Sequence, residues 1–528
     1  MPSTTFPAEC DYLVIGAGAT ALAFCDSLLE GRRQQQQQQQ QQQEKQQSAS
    51  LPTLVLLDPH ERPGGQWNAS YGFVRLHQPS AMYGVESMPL EDESAEDPTK
   101  HRATRTEIIA YYERVLEKWQ SNLTFVGETW FDFESMEESQ ASPSHPQQEI
   151  RTYKYQRRVD TGQTQHEIRV RRKVVDARFL QPDLPIDTPP KFQFDSEKIR
   201  CEPVNALTTT VSDSDARHFV VIGGGKTGMD AVYHLLTKRN VKPYDIVWIM
   251  PHDAWITARE SIGNFMEFLH TALVQAKEQQ SPEMLADYVQ TSPDCLQRAF
   301  LKWEQEGKVY RLDPTILPSK FKDATLCKEE LTTLQTVDQV VRGKGRVAKI
   351  ASNGDLHMED GTTLPLPWNE EVRHTIFVHC SAGTFNYTKQ PKQARPIFTD
   401  NVLTIQDVYG TPGFCFVGSI IGKLESISRL SNAQKNELCL APAPNATPPP
   451  VLGPSGGDIG VLSPSHGFVQ RLCNVRKWLN VPELRTWLVG HRLFNLGYLP
   501  TAETMQSMID ETWSIAVQSG LVVDENRA

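Results

Sequence analysis

Two glycine-rich stretches in this sequence have the spacing of phosphate-binding turns. The first, Gly16–Ala21, reads G-x-G-x-x-A, follows an apolar run at 12–15 and precedes a helical pattern at 21–30. Strand, tight glycine turn and helix together present backbone N–H groups and a positive helix terminus to a pyrophosphate. Gly16 permits the turn, Gly18 admits the phosphates and Ala21 keeps the helix close to its strand. The expected contact residues are Gly16, Gly18, Ala19, Thr20 and Ala21.

The pattern returns as a full G-x-G-x-x-G at Gly223–Gly228, after the apolar run 218–222. Two such units in one chain are much harder to obtain by chance than one, and they predict two bound nucleotides. The natural pair is a tightly held flavin, FAD, and a nicotinamide that feeds it hydride. The expected contact residues are Gly223, Gly225, Lys226, Thr227 and Gly228.

An acidic residue, Asp58, ends the strand predicted over 53–57. An acid at this place binds the adenosine ribose, usually about 20 residues beyond the glycines. Here the offset from Gly16 is 58 − 16 = 42, and removal of the disordered glutamine-rich insert brings it near the expected value. The alternative is that Asp58 is a surface residue before Pro59.

In the second unit, Met250 aligns with Asp58 at the strand end. A neutral residue there does not repel a 2′-phosphate, which favours NADPH over NADH. Lys226, His252 and Arg259 are candidates to hold that phosphate, and ordinary surface cations are the alternative.

Bulk properties exclude several classes of function. A net charge of −11 and a pI near 5.8 argue against a nucleic-acid surface. The nine cysteines form no C-x-x-C pair, which disfavours a dithiol centre, a metal cluster and a disulfide framework. We see neither a signal peptide nor a membrane span. The expectation is a cytoplasmic protein acting on a small molecule, with no membrane partner and with homo-oligomerisation left open.

The remaining elements follow from periodicity and composition. The glutamine-rich stretch 32–50 is expected to be a disordered insert, because a polar tract buries no apolar area. The other predictions are an amphipathic helix at 106–119, a loop at 134–148, a hairpin from 151–159 and 166–175, helices at 264–279 and 284–307, a β-meander at 337–366, and strands at 375–380 and 413–419.

With these motifs in place, residues 11–422 resemble the flavin-dependent monooxygenase superfamily of flavoproteins with two dinucleotide-binding domains. The most specific feature is Gly64-Gly65-Gln66-Trp67 after the strand-end acid. The resemblance implies that Gly65, Gln66 and Trp67 lie beside the FAD. A turn with a packed tryptophan is the alternative when the segment is taken alone. The family's F-x-G-x-x-x-H signature is absent, and Ser419 stands after Gly418 where related flavoproteins often carry aspartate.

The resemblance also implies a fold and domain boundaries. The fold is α/β, with two Rossmann-like dinucleotide-binding domains, the FAD domain being interrupted by the NADP domain, and a helical C-terminal tail. The expected boundaries are 8–205 for the first part of the FAD domain, 215–375 for the NAD(P)H domain with a helical insertion, 376–440 for the return to the FAD domain, 441–465 for a linker and 466–528 for the tail.

The implied reaction is hydride transfer from NADPH to FAD, followed by oxygen transfer through a flavin hydroperoxide. Arg75 and His77 are candidates to stabilise the peroxide or to contact nicotinamide, with structural hydrogen bonding as the alternative. Two other functions stay open: a flavin reductase, dehydrogenase or oxidase that inserts no oxygen, and a non-catalytic nucleotide-binding scaffold.

Overall fold

The computed structural model describes residues 6–41, 50–91, 97, 100–134, 150–158, 165–178, 183–211, 216–262, 265–292, 294–368, 370–381, 395–409, 414–441, 468–494 and 502–522. Its strands are β1 (Glu9–Ile15), β2 (Leu54–Leu57), β3 (Leu123–Val126), β4 (Thr129–Phe131), β5 (Arg151–Arg157), β6 (Gln165–Asp176), β7 (Gln193–Phe194), β8 (Cys201–Pro203), β9 (His218–Ile222), β10 (Ile246–Met250), β11 (Ala254–Ala258), β12 (Val309–Tyr310), β13 (Lys320–Leu326), β14 (Val340–Arg342), β15 (Val347–Ile350), β16 (Leu356–Met358), β17 (Thr363–Leu364), β18 (Thr375–His379) and β19 (Val402–Thr404).

Its helices are α1 (Ala19–Gln41), α2 (Arg105–Lys118), α3 (Lys226–Thr237), α4 (Phe265–Gln279), α5 (Pro282–Thr291), α6 (Asp294–Gln305), α7 (Lys328–Leu334), α8 (Phe414–Ser426), α9 (Asn432–Glu437), α10 (Phe468–Leu479), α11 (Pro482–Gly490) and α12 (Ala502–Gln518). Among the described residues, no helix combines the length and the apolar composition needed to cross a bilayer.

The first sheet is organised around β1. Its strand order is β3-β2-β1-β6-β5-β4, and β19 also pairs with β6. β1 runs parallel to both β2 and β6, and its residues 12–15 are all buried, as expected for a strand covered on both faces. β5 and β6 form the predicted antiparallel hairpin, whose turn lies outside the described residues.

The second sheet has the order β14-β10-β9-β18-β8, and all of its pairings are parallel. The predicted α/β fold with two dinucleotide-type units is therefore confirmed. The boundary at 375/376 is placed wrongly, because β18 pairs with β9 along its full length and keeps residues 376–379 in the second sheet. For the same reason β8, at residues 201–203, lies in the second sheet although the sequence boundary put it in the first domain.

A close pair of helices, α1 and α8, covers the first sheet. A Cβ added at Gly418 of α8 would overlap the carbonyl oxygen of Thr20, and one added at Gly422 would overlap that of Phe24. The two backbones are therefore in direct contact, and only glycine fits at these two points.

A buried ion triad joins α8 to its neighbours. Glu425 is 4% exposed and lies 3.1 Å from the Nζ of Lys173 and 3.0 Å from the Nζ of Lys435, and it accepts a hydrogen bond from Tyr12 at 3.1 Å. Burial by itself raises the pKa of Glu425, but the two lysines outweigh it, so that the pKa lies below its ordinary value.

Two predictions about these helices are wrong. Residues 414–419 of the predicted strand 413–419 begin α8, whose residues are nearly all buried and so lack the polar periodicity that separates a helix from a strand. Residues 32–41 of the predicted disordered insert 32–50 continue α1. Glutamine is a good helix former, and Gln35 Nε2 donates to the carbonyl of Ser426 at 3.0 Å. Residues 42–49 lie outside the described residues.

The predicted helices at 106–119, 264–279 and 284–307 and the helical tail are confirmed as α2, as α4 to α6 and as α10 to α12, with a break near residue 292. The predicted loop 134–148 and linker 441–465 lie, except for their first residues, outside the described residues.

Candidate functional site

The first glycine turn connects β1 to α1. Gly16 has φ +104°, and its N–H donates to the carbonyl of Leu57 at 2.8 Å. An L-residue is strained at this φ, which explains the glycine. Thr20 and Ala21 are buried in the first turn of α1, which begins at Ala19. The predicted contact residues thus form one continuous turn and helix start.

The Gly64-Gly65 segment lies directly against this turn. The N–H of Gly64 donates to the carbonyl of Ala17 at 2.8 Å. Gly65 has φ +54°, and a Cβ added there would come within 2.9 Å of the Cα of Gly18. The structure therefore brings the Gly64-Gly65 segment into backbone contact with the Gly16–Ala21 turn. Gln66, next along the chain, is exposed.

Asp58 fixes the shape of the turn. It is 3% exposed, and its Oδ2 accepts from the N–H of Ala17 at 2.7 Å. Its Oδ1 accepts from the N–H of His60 at 2.9 Å and lies 2.7 Å from His60 Nδ1. The hydrogen bond to Asp58 raises the pKa of His60. The ribose contact of Asp58 stays a prediction. In the structure, the carboxylate stabilises the turn through these hydrogen bonds.

The indole of Trp67 is held in place by a hydrogen-bonded pair of tyrosines. It is 9% exposed, and its Nε1 donates to the hydroxyl of Tyr83 at 2.8 Å. Tyr112 donates its hydroxyl to the same oxygen at 2.9 Å. Both tyrosines are buried, and burial raises the pKa of each well above its ordinary value. The indole is packed in a hydrogen-bonded network, and no sequence motif pointed to either tyrosine.

The second glycine turn connects β9 to α3. The N–H of Gly223 donates to the carbonyl of Ile249 at 3.0 Å, and Trp248 Nε1 donates to the carbonyl of Gly223 at 2.9 Å. A Cβ at Gly228 would overlap that same carbonyl, so this glycine allows α3 to sit tightly on the turn. Gly225 caps α3, and no described atom lies within 4 Å of the position a Cβ would take there.

At the start of α3, Lys226 and Thr227 belong to a largely buried polar cluster that also contains Asp230 and Tyr71. Lys226 forms an ion pair with Asp230 one turn along the helix. Asp230 Oδ2 also accepts from the hydroxyl of Tyr71 at 2.7 Å. Phe73 stacks on His234 of the same helix, with ring centroids 4.0 Å apart. Segment 71–78 is thereby held against the second dinucleotide unit.

Arg259 belongs to an ion triad and does not stand free. It forms an ion pair with Glu330, and its Nε donates to the carbonyl of His77 at 3.0 Å. Glu330 Oε1 lies 2.9 Å from Arg102 Nη1. Burial by itself raises the pKa of Glu330, but Arg259, Lys226 and Arg102 outweigh it and lower the pKa to about 2. The structure therefore assigns Arg259 a carboxylate partner within the protein.

The two weak catalytic candidates are placed differently. Burial, and then the nearby charge of Lys226, lower the pKa of His77 to about 4, so its imidazole is neutral at pH 7. Arg75 is exposed, and its Nη1 donates to the carbonyl of Arg102 at 3.1 Å. His77 borders the polar cluster, whereas Arg75 is tied to a neighbouring segment.

Sequence reasoning missed Tyr71, Asp230, Arg102 and Glu330. Only the Lys226-x-x-x-Asp230 spacing was visible in advance, as a pair one helical turn apart. Among the described residues, no group of three or more His, Cys, Asp and Glu side chains could hold a metal ion.

Comparison with solved structures finds flavoprotein enzymes of the kind that the motifs resemble. A flavin-containing monooxygenase from Stenotrophomonas maltophilia is 14% identical over 79% of this chain and 97% of its own, with a TM-score of 0.42. The open form of cyclohexanone monooxygenase is 13% identical over 90% of this chain and 98% of its own, with a TM-score of 0.45. OTEMO in complex with FAD and NADP is 13% identical over 80% of this chain and 84% of its own, with a TM-score of 0.46.

No protein-family model matches the chain. Uncharacterized protein Rv2000 of Mycobacterium tuberculosis (strain ATCC 25618 / H37Rv) is 30% identical over 491 residues, which make up 92% of this chain and 77% of that protein. Uncharacterized protein Mb2023 of Mycobacterium bovis matches to the same extent. The chain therefore belongs to the same family as these mycobacterial proteins.

Proposed function

We propose that this protein is an FAD-dependent oxidoreductase that takes hydride from NADPH and acts as an O2-dependent monooxygenase on a small organic molecule. The observation that carries the proposal is the backbone contact of Gly65 with Gly18 at the start of α1. A second and separate glycine turn, with an open helix start at Gly225, supplies the place for the second nucleotide.

The first turn fits a flavin dinucleotide. Gly16 and Gly18 place no side chain on the backbone at two positions where a pyrophosphate would meet the N-terminus of α1. A carboxylate accepts about four hydrogen bonds, and Asp58 uses three within the protein, so that one acceptor position remains for the ribose.

The second glycine turn, at Gly223–Gly228, fits NADPH. The cation proposed for the 2′-phosphate lies outside the sequence motifs. Met250 is in register with Arg342 at the adjoining strand end, and Arg342 Nε lies 3.1 Å from Asp253. We assign the 2′-phosphate to Arg342, because its side chain at the strand end is 20% exposed, whereas the ion-paired side chains of Lys226 and Arg259 are each only 9% exposed. Arg342→Ala should raise KM for NADPH by roughly 10- to 100-fold, the value of one charge-assisted hydrogen bond, and leave KM for NADH unchanged. Equal changes in the two KM values would refute the assignment.

When bound, FAD would accept hydride and activate O2. The chain would position the two nucleotides and limit access of water. Tyr71, through Asp230, fixes segment 71–78 against α3. The neutral imidazole of His77 adds a hydrogen-bonding group beside Lys226 without adding a charge.

The test begins with the purified protein, reconstituted with FAD if necessary and reduced anaerobically with NADPH. Bleaching of the flavin absorbance supports the oxidoreductase, and a protein that cannot be reconstituted with FAD leaves the scaffold alternative. The reduced protein is then exposed to 18O2 with small carbonyl compounds and sulfides. Incorporation of 18O into a product, read by mass spectrometry, supports the monooxygenase. Reoxidation that yields only hydrogen peroxide across that panel favours the oxidase or reductase.

A further inference from the structure

An arginine of the C-terminal tail, Arg492, is inserted into segment 81–85. Its Nη1 donates to the carbonyls of Ala81 at 2.5 Å and Tyr83 at 3.0 Å, and its Nη2 donates to the carbonyl of Val85 at 2.6 Å. Three carbonyls on alternate residues thus converge on one guanidinium. The planar, multi-donor fork of arginine suits this arrangement, whereas the single ammonium of lysine does not reproduce it.

The tail holds Arg492 in place through its neighbour. His491 is 1% exposed, and its ring packs edge-on against Phe416 at 5.3 Å and Trp487 at 4.4 Å between centroids. The N–H of Leu493 donates to His491 Nδ1 at 3.1 Å. The backbone that carries Arg492 is therefore held in place by contacts that do not involve its guanidinium.

Segment 81–85 in turn supports the first glycine site. Tyr83, whose carbonyl binds Arg492, accepts the indole N–H of Trp67 through its hydroxyl at 2.8 Å. Trp67 lies two residues after Gly65, whose backbone contacts Gly18. An unbroken series of contacts therefore runs from the C-terminal tail to the backbone proposed to face the flavin pyrophosphate.

We propose that Arg492 is a positioning residue for the FAD site, acting through Tyr83 and Trp67, so that the tail is part of the flavin-binding apparatus. The inference rests on the proposed function. It assigns the tail a role that neither glycine motif requires.

The experiment is a double-mutant cycle on apoprotein titrated with FAD. Arg492→Met removes the guanidinium, and Tyr83→Phe removes the acceptor for Trp67 while keeping the carbonyl that Arg492 binds. Each should raise the FAD dissociation constant about tenfold, equivalent to about 1.4 kcal/mol. The double variant should match either single variant, because both changes break the same series of contacts. Arg492→Lys should recover part of the affinity.

A matched control removes another arginine that ties the tail to the body. Arg429 pairs with Glu483 of α11 at the surface, with 2.9 Å between Nε and Oε2. Arg429→Met should leave the FAD dissociation constant unchanged. If Arg492→Met does not fold, Arg492→Lys takes its place in the cycle.

The outcomes separate the two proposals. An unchanged FAD dissociation constant in the Arg492 variants, or strictly additive effects in the double variant, overturns the positioning role while leaving the FAD site intact. A wild-type apoprotein that binds no FAD overturns the proposed function itself.

Discussion

Substituting Gly65 by alanine tests the contact on which the proposed FAD site depends. At φ +54° an L-residue costs about 1–2 kcal/mol in backbone strain. The added Cβ would lie 2.9 Å from the Cα of Gly18, and such overpacking against backbone costs a further 1–3 kcal/mol, roughly. We expect Gly65→Ala to lose about 2–5 kcal/mol in total and to bind FAD at least tenfold more weakly, since relief of the clash separates the two glycine segments.

The matched control is Gly361→Ala, in the turn between β16 and β17. Gly361 has φ +85°, and no described atom lies within 4 Å of the position a Cβ would take. This variant carries the backbone strain without the clash, so it should lose only about 1–2 kcal/mol and keep its FAD affinity. Urea denaturation of the apoproteins and titration with FAD measure the two quantities. Equal destabilisation of both variants, with FAD affinity intact in Gly65→Ala, would refute the assignment of this contact.

Three further outcomes test the frame around the site. Gly422→Ala should lower the thermal unfolding midpoint by several degrees, because its Cβ would overlap the carbonyl of Phe24, and an unchanged midpoint would contradict the close packing of α1 on α8. Glu425→Ala should cost about 3–5 kcal/mol in urea denaturation by leaving two buried lysines unpaired, and a cost below 1 kcal/mol, roughly, would show that water reaches them. Glu330 has a pKa of about 2 against an ordinary value of 4.5, so its contribution to stability is complete above pH 4.5 and is lost as the pH falls towards 2. Between those values the midpoint of the wild type should fall more steeply than that of Glu330→Gln, and parallel curves would refute the shift.

Local backbone requirements made much of the fold predictable. The turn at Gly16 needs a positive φ, and Gly228 must let α3 approach the strand, so both appear in the sequence as glycines at fixed spacing. The same holds for the hairpin of β5 and β6, whose strands are adjacent along the chain.

Pairings between distant residues were not predictable. Arg259 looked like a free cation for a phosphate, but its partner Glu330 lies 71 residues away in the chain. The contact between Arg492 and Tyr83 spans 409 residues. No local pattern encodes such pairs. The strand predicted over the start of α8 is wrong because an element buried on every side shows no periodicity.

The packing of α8 on α1 has a consequence for synthesis of the chain on the ribosome. The first sheet and α1 emerge early, yet β19 and α8 come from residues 402–404 and 414–426. At 5–20 residues per second, roughly 20–80 s separate the emergence of α1 from that of α8. During that interval the whole second unit is translated, while the apolar face of α1 is not yet covered by α8. The nascent chain therefore presents chaperones with a binding surface that disappears only after α8 has emerged.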